Sequence, residues 1–235
     1  MLEAENITKR FFGITAVDGV SISVKEGETV GIIGTNGAGK TTLFNILTGF
    51  ERADSGSILY KGRNVTNLAP NRLVKMGFAR TFQNLRLFYS MTVRENLLVS
   101  AIACKKDPKA CDDLLRATNL FDKRNHLAAA LPYGEMRKLE IARAAATGAK
   151  ILFLDEPSAA MTHGEASELG NTIQKLKQTY GITAVIIEHN MELVRLSCDR
   201  VYAMAEGRVI FCGTPQDTLN DPQVKRTMLT TEKVC

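Results

Sequence analysis

The octapeptide Gly34-Thr35-Asn36-Gly37-Ala38-Gly39-Lys40-Thr41 constrains this chain more than any other feature. It fits the pattern G-x-x-x-x-G-K-[ST], follows an apolar run at 29–33 that predicts a strand, and precedes helix-forming residues at 42–47. Glycines let successive backbone N–H groups converge on a phosphate, and the following helix adds the positive end of its dipole. A glycine-rich turn that only caps a helix is the alternative, and the strand, loop, Lys-Thr and helix in this order argue against it.

Two residues at the end of this loop have specific chemical roles. Lys40 is expected to place its ammonium against the β- and γ-phosphate oxygens of ATP, and the hydroxyl of Thr41 is expected to bind the accompanying Mg²⁺. The predicted nucleotide-binding residues of this segment are Gly34, Asn36, Gly37, Ala38, Gly39, Lys40, Thr41 and Thr42.

An acidic pair further along the chain is suited to hold the metal and to activate water. The apolar residues 151–154 predict a buried strand that ends in Asp155 and Glu156. Asp155 is expected to enter the magnesium shell, and Glu156 to polarise a water for in-line attack on the γ-phosphate. Adjacent carboxylates also occur as helix N-caps, but the phosphate loop upstream favours the catalytic interpretation.

Composition limits the possible partners. The 235 residues, 45% of them hydrophobic, can form one domain with a sizeable core, and we expect a single domain over 1–235. The net charge is +5, but the basic residues are spread along the chain, so no nucleic-acid partner is expected. The five cysteines are widely spaced and lack a CxxC pair, which favours a reducing cytosol over a disulfide framework or a zinc site.

No segment of the sequence is suited to insertion in a membrane. The first six residues carry acidic side chains and lack the apolar core of a signal peptide, and no apolar run approaches the roughly 18 to 20 residues that span a bilayer. We therefore expect any role at a membrane to be peripheral, on the cytoplasmic face.

The succession of apolar and polar runs predicts an α/β fold. Strands are predicted over 20–24, 28–33, 57–60, 151–154 and 183–187, with a hairpin over 201–211. Thr92 and Glu95 form a capping box that starts a helix, and further helices are predicted over 109–119, from 134 and over 166–179. Strands that alternate with helices at this spacing indicate a parallel sheet with crossover helices.

The segment 131–144, Leu-Pro-Tyr-Gly-Glu followed by Met-Arg-Lys-Leu-Glu-Ile-Ala-Arg-Ala, points to one class of nucleotide-binding protein. It resembles the signature helix of ABC ATPases. Gln83 in Arg-Thr-Phe-Gln-Asn resembles their Q-loop, 155–158 resembles the end of their Walker B strand, and His189 resembles their switch histidine. In order and spacing the chain is similar to an ABC ATPase over nearly its whole length.

This resemblance implies the fold and further site residues. It implies a P-loop NTPase with a mostly parallel core sheet, an antiparallel β lobe and a small inserted helical lobe at about 86–143. Gln83 would bridge the magnesium ion and the lytic water, and His189 would hydrogen-bond the γ-phosphate. Phe11, or less favourably Phe12, would stack on the adenine.

The resemblance also implies a two-chain site, because ABC ATPases bind two ATP molecules between facing subunits. The partner would be a second ATP-binding subunit, identical or different, and the residues facing its nucleotide would be Tyr133, Gly134 and Glu135. Pro132 stands where the family has serine and offers neither hydroxyl nor N–H, which we expect to weaken closure by ~1.5 to 3 kcal/mol per site. Thr162 stands where the family has Asp or Asn, which puts cross-talk between the sites in doubt.

Segments 41–50, 77–88 and 187–191 are most similar to the ATP-binding subunits of branched-chain amino-acid importers. That likeness implies an ATPase that drives uptake of branched-chain or other hydrophobic amino acids through separate membrane-spanning permease subunits, with an extracytoplasmic solute-binding protein acting indirectly. Two alternatives stay open. One is the ATPase of a lipid or lipopolysaccharide exporter, and the other is a nucleotide-binding regulatory module with little turnover, which Pro132 and Thr162 suggest.

Overall fold

The computed structural model describes residues 1–229. The strands of this part are β1 (Leu2–Phe11), β2 (Ile14–Val24), β3 (Thr29–Gly34), β4 (Ser55–Tyr60), β5 (Arg63–Asn64), β6 (Phe78–Arg80), β7 (Ile151–Asp155), β8 (Thr183–Ile187), β9 (Arg200–Ala205) and β10 (Arg208–Gly213). The helices are α1 (Lys40–Leu47), α2 (Pro70–Lys75), α3 (Val93–Ala103), α4 (Ala110–Ala117), α5 (Tyr133–Ala146), α6 (His163–Tyr180), α7 (Met191–Ser197), α8 (Pro215–Asn220) and α9 (Pro222–Leu229).

The larger sheet has the strand order β10-β9-β3-β8-β7-β6. All its pairings are parallel except the edge hairpin of β9 and β10. Every residue of β3, β7 and β8 is buried, as their continuous apolar runs predict for strands covered on both faces. Because the carboxyl ends of parallel strands meet at one edge, the segments that follow β3, β8, β7 and β6 lie side by side in that order.

The smaller sheet is antiparallel, in the order β2-β1-β4-β5. Its inward side chains share an apolar cluster with helix α1 and with one face of the larger sheet, including Leu2, Ile7, Phe44 and Phe153. Arg200 of β9 joins the two sheets, since its guanidinium donates to the carboxylate of Glu28 and to the backbone oxygen of Ser23.

Helices α3, α4 and α5 lie between β6 and β7 in the chain and bury their apolar sides together in a second cluster. The capping box of Thr92 and Glu95 is present at the start of α3. The fully buried Asn96 holds the preceding loop, because its carboxamide accepts from the N–H of Phe88 at 2.9 Å and donates to the Phe88 carbonyl at 3.0 Å. These helices occupy most of the stretch 86–143 that we propose as the helical lobe, and α5 continues to Ala146.

The predicted fold class is confirmed, and the predicted helices and strands are present with ends that differ by a few residues. Strands β1, β5 and β6 and helices α2, α7, α8 and α9 were not predicted individually. No helix within residues 1–229 is long and apolar enough to cross a bilayer.

Candidate nucleotide-binding site

The predicted phosphate loop connects the carboxyl end of β3 to the start of α1. Two of its glycines are required by close backbone approaches. A Cβ at Gly34 would lie 2.2 Å from the carbonyl oxygen of Met204, and one at Gly39 would lie 2.2 Å from that of Ala16, with Gly39 at φ 93°. Only glycine fits these positions, so neighbouring strands fix the path of the loop.

Lys40 is the first residue of α1 and is buried. Its ammonium donates to the backbone oxygens of Gly34 and Thr35, both at 2.8 Å, so the side chain folds back onto its own loop. Burial lowers the pKa of Lys40, and the negative charge of Glu156 opposes that shift. A partly desolvated cation beside the loop is suited to attract phosphate oxygens. Of the other loop residues, Asn36, Gly37 and Thr41 are exposed, Thr42 is half-buried and Ala38 is buried.

Three predicted catalytic side chains meet beyond β7 and β8. The Gln83 carboxamide donates to Glu156 Oε2 at 3.1 Å, and His189 Nε2 lies 3.1 Å from Glu156 Oε1. Glu156 has a φ of 45°, which is uncommon outside glycine, and its N–H donates to the carbonyl of Ile187 in β8. The backbone turn therefore aims the carboxylate at Gln83 and His189, beside an open cavity of about 530 Å³.

Asp155 ends β7 and is buried. Its Oδ2 accepts from Arg80 Nη2 at 2.9 Å, and Arg80 also donates to the side-chain oxygens of Asn45 and Thr48. The Arg80 guanidinium lies 4.8 to 5.2 Å from the ring centroids of three phenylalanines: Phe44, Phe50 and Phe82. Arg80 therefore fixes one carboxylate oxygen of Asp155 and leaves the other to a further ligand.

The residues proposed for Mg²⁺ are Thr41, Gln83 and Asp155, and their donor atoms fit that ion. A hydroxyl, an amide oxygen and a carboxylate are the hard oxygen ligands that Mg²⁺ prefers. The Gln83 contact to Glu156 uses the amide nitrogen, which leaves its oxygen for a cation. Among residues 1–229, no group of three or more His, Cys, Asp or Glu side chains is placed to hold a metal, so such a site would also need oxygens from the nucleotide.

The segment Pro132 to Glu135 forms the start of α5, with Pro132 at the N-cap and no side-chain cap. The Tyr133 hydroxyl, on a ring that is 39% exposed, accepts from Arg137 at 3.0 Å. A Cβ at Gly134 would lie 3.2 Å from a carboxylate oxygen of Glu165. Glu135 is paired with Lys123 at 2.5 and 2.7 Å, so its charge is largely neutralised within the chain.

The two candidate adenine platforms differ in their surroundings. Phe11 ends β1, is half-buried, and has the ammonium of Lys9 at 5.0 Å from its ring centroid. Phe12 is fully exposed in the following turn, with a φ of 45°. The ring of Phe11 is thus held by its neighbours, whereas that of Phe12 is not.

Two residues with clear positions in the site received no role from the sequence. Arg80 lies in the segment that identified Gln83 but was assigned no role of its own. Glu188 is 2% exposed, and its carboxylate accepts the backbone N–H groups of Ser158, His189 and Asn190 at 2.8 to 3.0 Å, which joins the turns that follow β7 and β8. Glu188 directly follows the wholly buried strand β8, which was the available signal for it, whereas Arg80 is the last residue of β6, a strand that the sequence did not predict.

Comparison with known proteins gives consistent matches. The model of the ABC transporter family matches residues 17–159. The chain is 39% identical to the high-affinity branched-chain amino acid transport ATP-binding protein LivG of Salmonella typhimurium, over 97% of both chains. It is 37% identical to the corresponding protein BraF of Pseudomonas aeruginosa, also over 97% of both. Its fold is similar to a crystal structure of an ABC transporter ATP-binding cassette in its ADP conformation, with a TM-score of 0.90 and 35% identity over 97% of this chain and 98% of that one.

Proposed function

Because the chain belongs to the ABC transporter family, we propose that it is the ATP-hydrolysing subunit of an importer for branched-chain or other hydrophobic amino acids. The observation that carries the hydrolytic part is the Glu156 carboxylate held between Gln83 and His189. The relatives that match nearly the whole chain support the choice of solute, and they do not favour lipid or lipopolysaccharide export.

In the proposed mechanism, Lys40 exchanges its two carbonyl contacts for phosphate oxygens when ATP enters. Glu156 accepts a proton from the attacking water, while Gln83 and His189 orient that water and the γ-phosphate. Mg²⁺, held by Thr41, Asp155 and Gln83, would neutralise charge on the phosphates. Glu188 keeps the Glu156 turn and the His189 turn in register.

The test is phosphate release by the purified chain with its membrane subunits, compared with Glu156→Gln. The carboxamide cannot accept the proton, so we expect a rate ~10² to 10⁴-fold lower, the range of a lost general base. Glu188→Gln is the comparison, because it weakens the support of the Glu156 and His189 turns but leaves the general base in place, and it should lower the rate less than Glu156→Gln does. Equal rates for the parent and Glu156→Gln would contradict the assignment of Glu156.

We further propose that two such chains face each other, each closing its Tyr133-Gly134-Glu135 segment on the other's ATP, beneath membrane permease subunits. Related cassettes have been crystallised as dimers, at 25 to 26% identity to this chain. Glu156→Gln should elute as a dimer with Mg-ATP and as a monomer without it, because trapped nucleotide holds the interface. Elution as a monomer in both conditions would contradict this arrangement.

A regulatory module with little turnover is the second candidate, and Pro132 is the observation that favours it. This N-cap offers neither a hydroxyl nor an N–H to a partner's phosphate. Absence of phosphate release from the parent chain, even with membrane subunits present, would support that candidate. Mass spectrometry of the solute bound to the co-purified complex tests the amino-acid assignment.

A further inference from the structure

Arg137, on the second turn of α5, joins two parts of the site that the sequence treats separately. It is 1% exposed, and its guanidinium donates to the carbonyl of Phe82 at 2.8 Å and to the carbonyl of Gln83. The same group donates to the Tyr133 hydroxyl at 3.0 Å and to Glu140 Oε2 at 3.0 Å. One rigid cation thus contacts both the Gln83 loop and the first residue of α5.

Glu140 extends this contact to the far end of the loop. Its Oε1 accepts from the backbone N–H of Arg86 at 3.3 Å, while its Oε2 binds Arg137. Residues 82–86 are therefore attached to α5 at both ends by a buried ion pair. Because a guanidinium is planar and its donors are fixed in direction, a displacement of α5 moves the Phe82 and Gln83 carbonyls with it.

If the two-chain arrangement of the proposed function holds, the residues at the two ends of this connection act on different ATP molecules. Gln83 contacts Glu156, which acts on the ATP bound by its own chain. Tyr133 and Gly134 face the ATP bound by the partner. We propose that Arg137 is a positioning residue that couples the two ATP sites: closure of Tyr133 and Gly134 on the partner's nucleotide sets the position of Gln83 at the chain's own Glu156.

Tyr133 has a specific part in this coupling. Pro132 provides neither a hydroxyl nor an N–H at the start of α5, and the hydroxyl of the next residue, Tyr133, has Arg137 as its partner. A nucleotide that engages the half-exposed Tyr133 changes the interaction of its hydroxyl with Arg137. Substitution by phenylalanine removes only this link and leaves the Arg137 contacts to the loop intact.

A mixed dimer that binds only one nucleotide can test whether the Tyr133-Gly134 end of the connection affects the Gln83 end. One chain carries Glu156→Gln and binds ATP; the other, isotopically labelled, carries Lys40→Ala and contributes only its Tyr133-Gly134 segment to that ATP. Hydrogen exchange of the amides at 82–86 in the labelled chain is measured with and without Mg-ATP. We expect exchange about tenfold slower with Mg-ATP, although the labelled chain's own site lacks its phosphate-binding lysine.

The slowing should vanish when the labelled chain also carries Arg137→Met. Tyr133→Phe, which removes a hydroxyl from a half-exposed ring, should likewise abolish the slower exchange. If Arg137→Met does not fold, the result for Tyr133→Phe tests the coupling by itself. Lys138→Met is the matched control, because Lys138 is a buried cation on the same helix that binds Glu168 instead of the loop, and it should preserve the slowing.

The outcomes distinguish this coupling from the function on which it rests. If Glu156→Gln alone forms no dimer with Mg-ATP, the two-chain site is wrong and the coupling falls with it. If the mixed dimer forms but exchange at 82–86 in the labelled chain is unchanged, the coupling is wrong and the two-chain site stands. Slowing that persists in both Arg137→Met and Tyr133→Phe also overturns the coupling.

Discussion

Arg80 is the residue whose position says most about how the proposed metal site is built. Its guanidinium contacts Asp155, Asn45 and Thr48 and lies among three phenylalanine rings. Lysine would keep the charge but could not reach these three groups at once. We expect Arg80→Lys to lower the maximal ATPase rate and to raise the Mg²⁺ concentration for half-maximal activity, each about 10-fold, the effect of losing a group that orients a metal ligand.

A Mg²⁺ titration of the ATPase rate measures this effect. Arg86→Lys is the control, because Arg86 also lies over Phe82, at 3.8 Å, but is exposed and, among the described residues, is not an ion-pair partner of Asp155. The ATPase rate of Arg86→Lys should depend on the Mg²⁺ concentration as that of the parent does. An unchanged Mg²⁺ requirement in Arg80→Lys would contradict a role for Arg80 in orienting Asp155.

The adenine platform is tested by two adjacent substitutions. We expect Phe11→Leu to weaken ATP binding about 5- to 10-fold, because stacking on an aromatic ring contributes about 1 kcal/mol beyond the area it buries. Phe12→Leu should change the affinity little, since nothing in the chain holds that exposed ring in one orientation. Calorimetric titration with ATP measures both. A larger loss in Phe12→Leu would reassign the platform to Phe12.

At the level of elements, Thr162 has a structural role that its departure from the family pattern did not suggest. It is the N-cap of α6, where its hydroxyl accepts from the N–H of Glu165 and the Glu165 carboxylate accepts from its backbone N–H. Thr162→Ala should lower the free energy of unfolding by about 1 kcal/mol, whereas Thr162→Asp, which restores a capping oxygen, should be nearly neutral. Urea unfolding measures both changes, and equal losses would show that the cap contributes nothing.

The elements that the sequence predicted are those with a strong local signal. β7 is apolar up to its last residue, Asp155, and β8 is apolar after its first, Thr183; the capping box fixes the start of α3. β1 gave no clean alternation, because its pairing registers shift around Asn6, which has a φ of 51°. β6 is only three residues long and exists through its pairing with β7, which no local pattern reveals.

The site residues also fall into two groups, those that the sequence predicted and those that only the structure reveals. The resemblance to ABC ATPases selected Gln83 and His189, and the acidic pair after a predicted strand selected Glu156. The strand order explains why these distant residues meet. The sequence could not reveal that Arg80 pairs with Asp155 across 75 positions, or that Glu188 binds Ser158 across 30. Such pairs depend on which strands are neighbours in the sheet. The order of the strands belongs to the tertiary structure and cannot be read from a local sequence pattern.

At the scale of the whole molecule, Arg200 of β9 links the two sheets through its hydrogen bond to the Ser23 carbonyl in β2, and Glu28, which directly precedes β3, holds the guanidinium in place. Glu28 accepts from Arg200 at 2.8 and 3.0 Å and from the N–H of Lys25 at 2.7 Å. Burial by itself raises the pKa of Glu28, but these hydrogen bonds lower it by more, so the pKa lies below its ordinary value. The carboxylate thus stabilises the folded state in its charged form.

The sign of the pH dependence follows from this depressed pKa. The stabilisation is complete above the pKa of the unfolded chain, about 4.3, and is lost as pH falls through the lower folded value. At pH 7, Glu28→Gln should be less stable than the parent by about 1 to 3 kcal/mol, since it leaves Arg200 without its charged partner. The two proteins should converge only as the pH falls below the depressed pKa of the folded state, because the carboxylate of the folded parent becomes neutral only there.

Urea unfolding at intervals from pH 3 to 7 checks this convergence. Glu26→Gln supplies the control, because Glu26 pairs with Lys61 at 2.9 Å on the exposed surface, where water screens the charges. The free energy of unfolding of Glu26→Gln should equal that of the parent at every pH. A stability difference between the parent and Glu28→Gln that stays constant down to pH 3 would mean that the shape of the Glu28 side chain, rather than its charge, holds Arg200 in place.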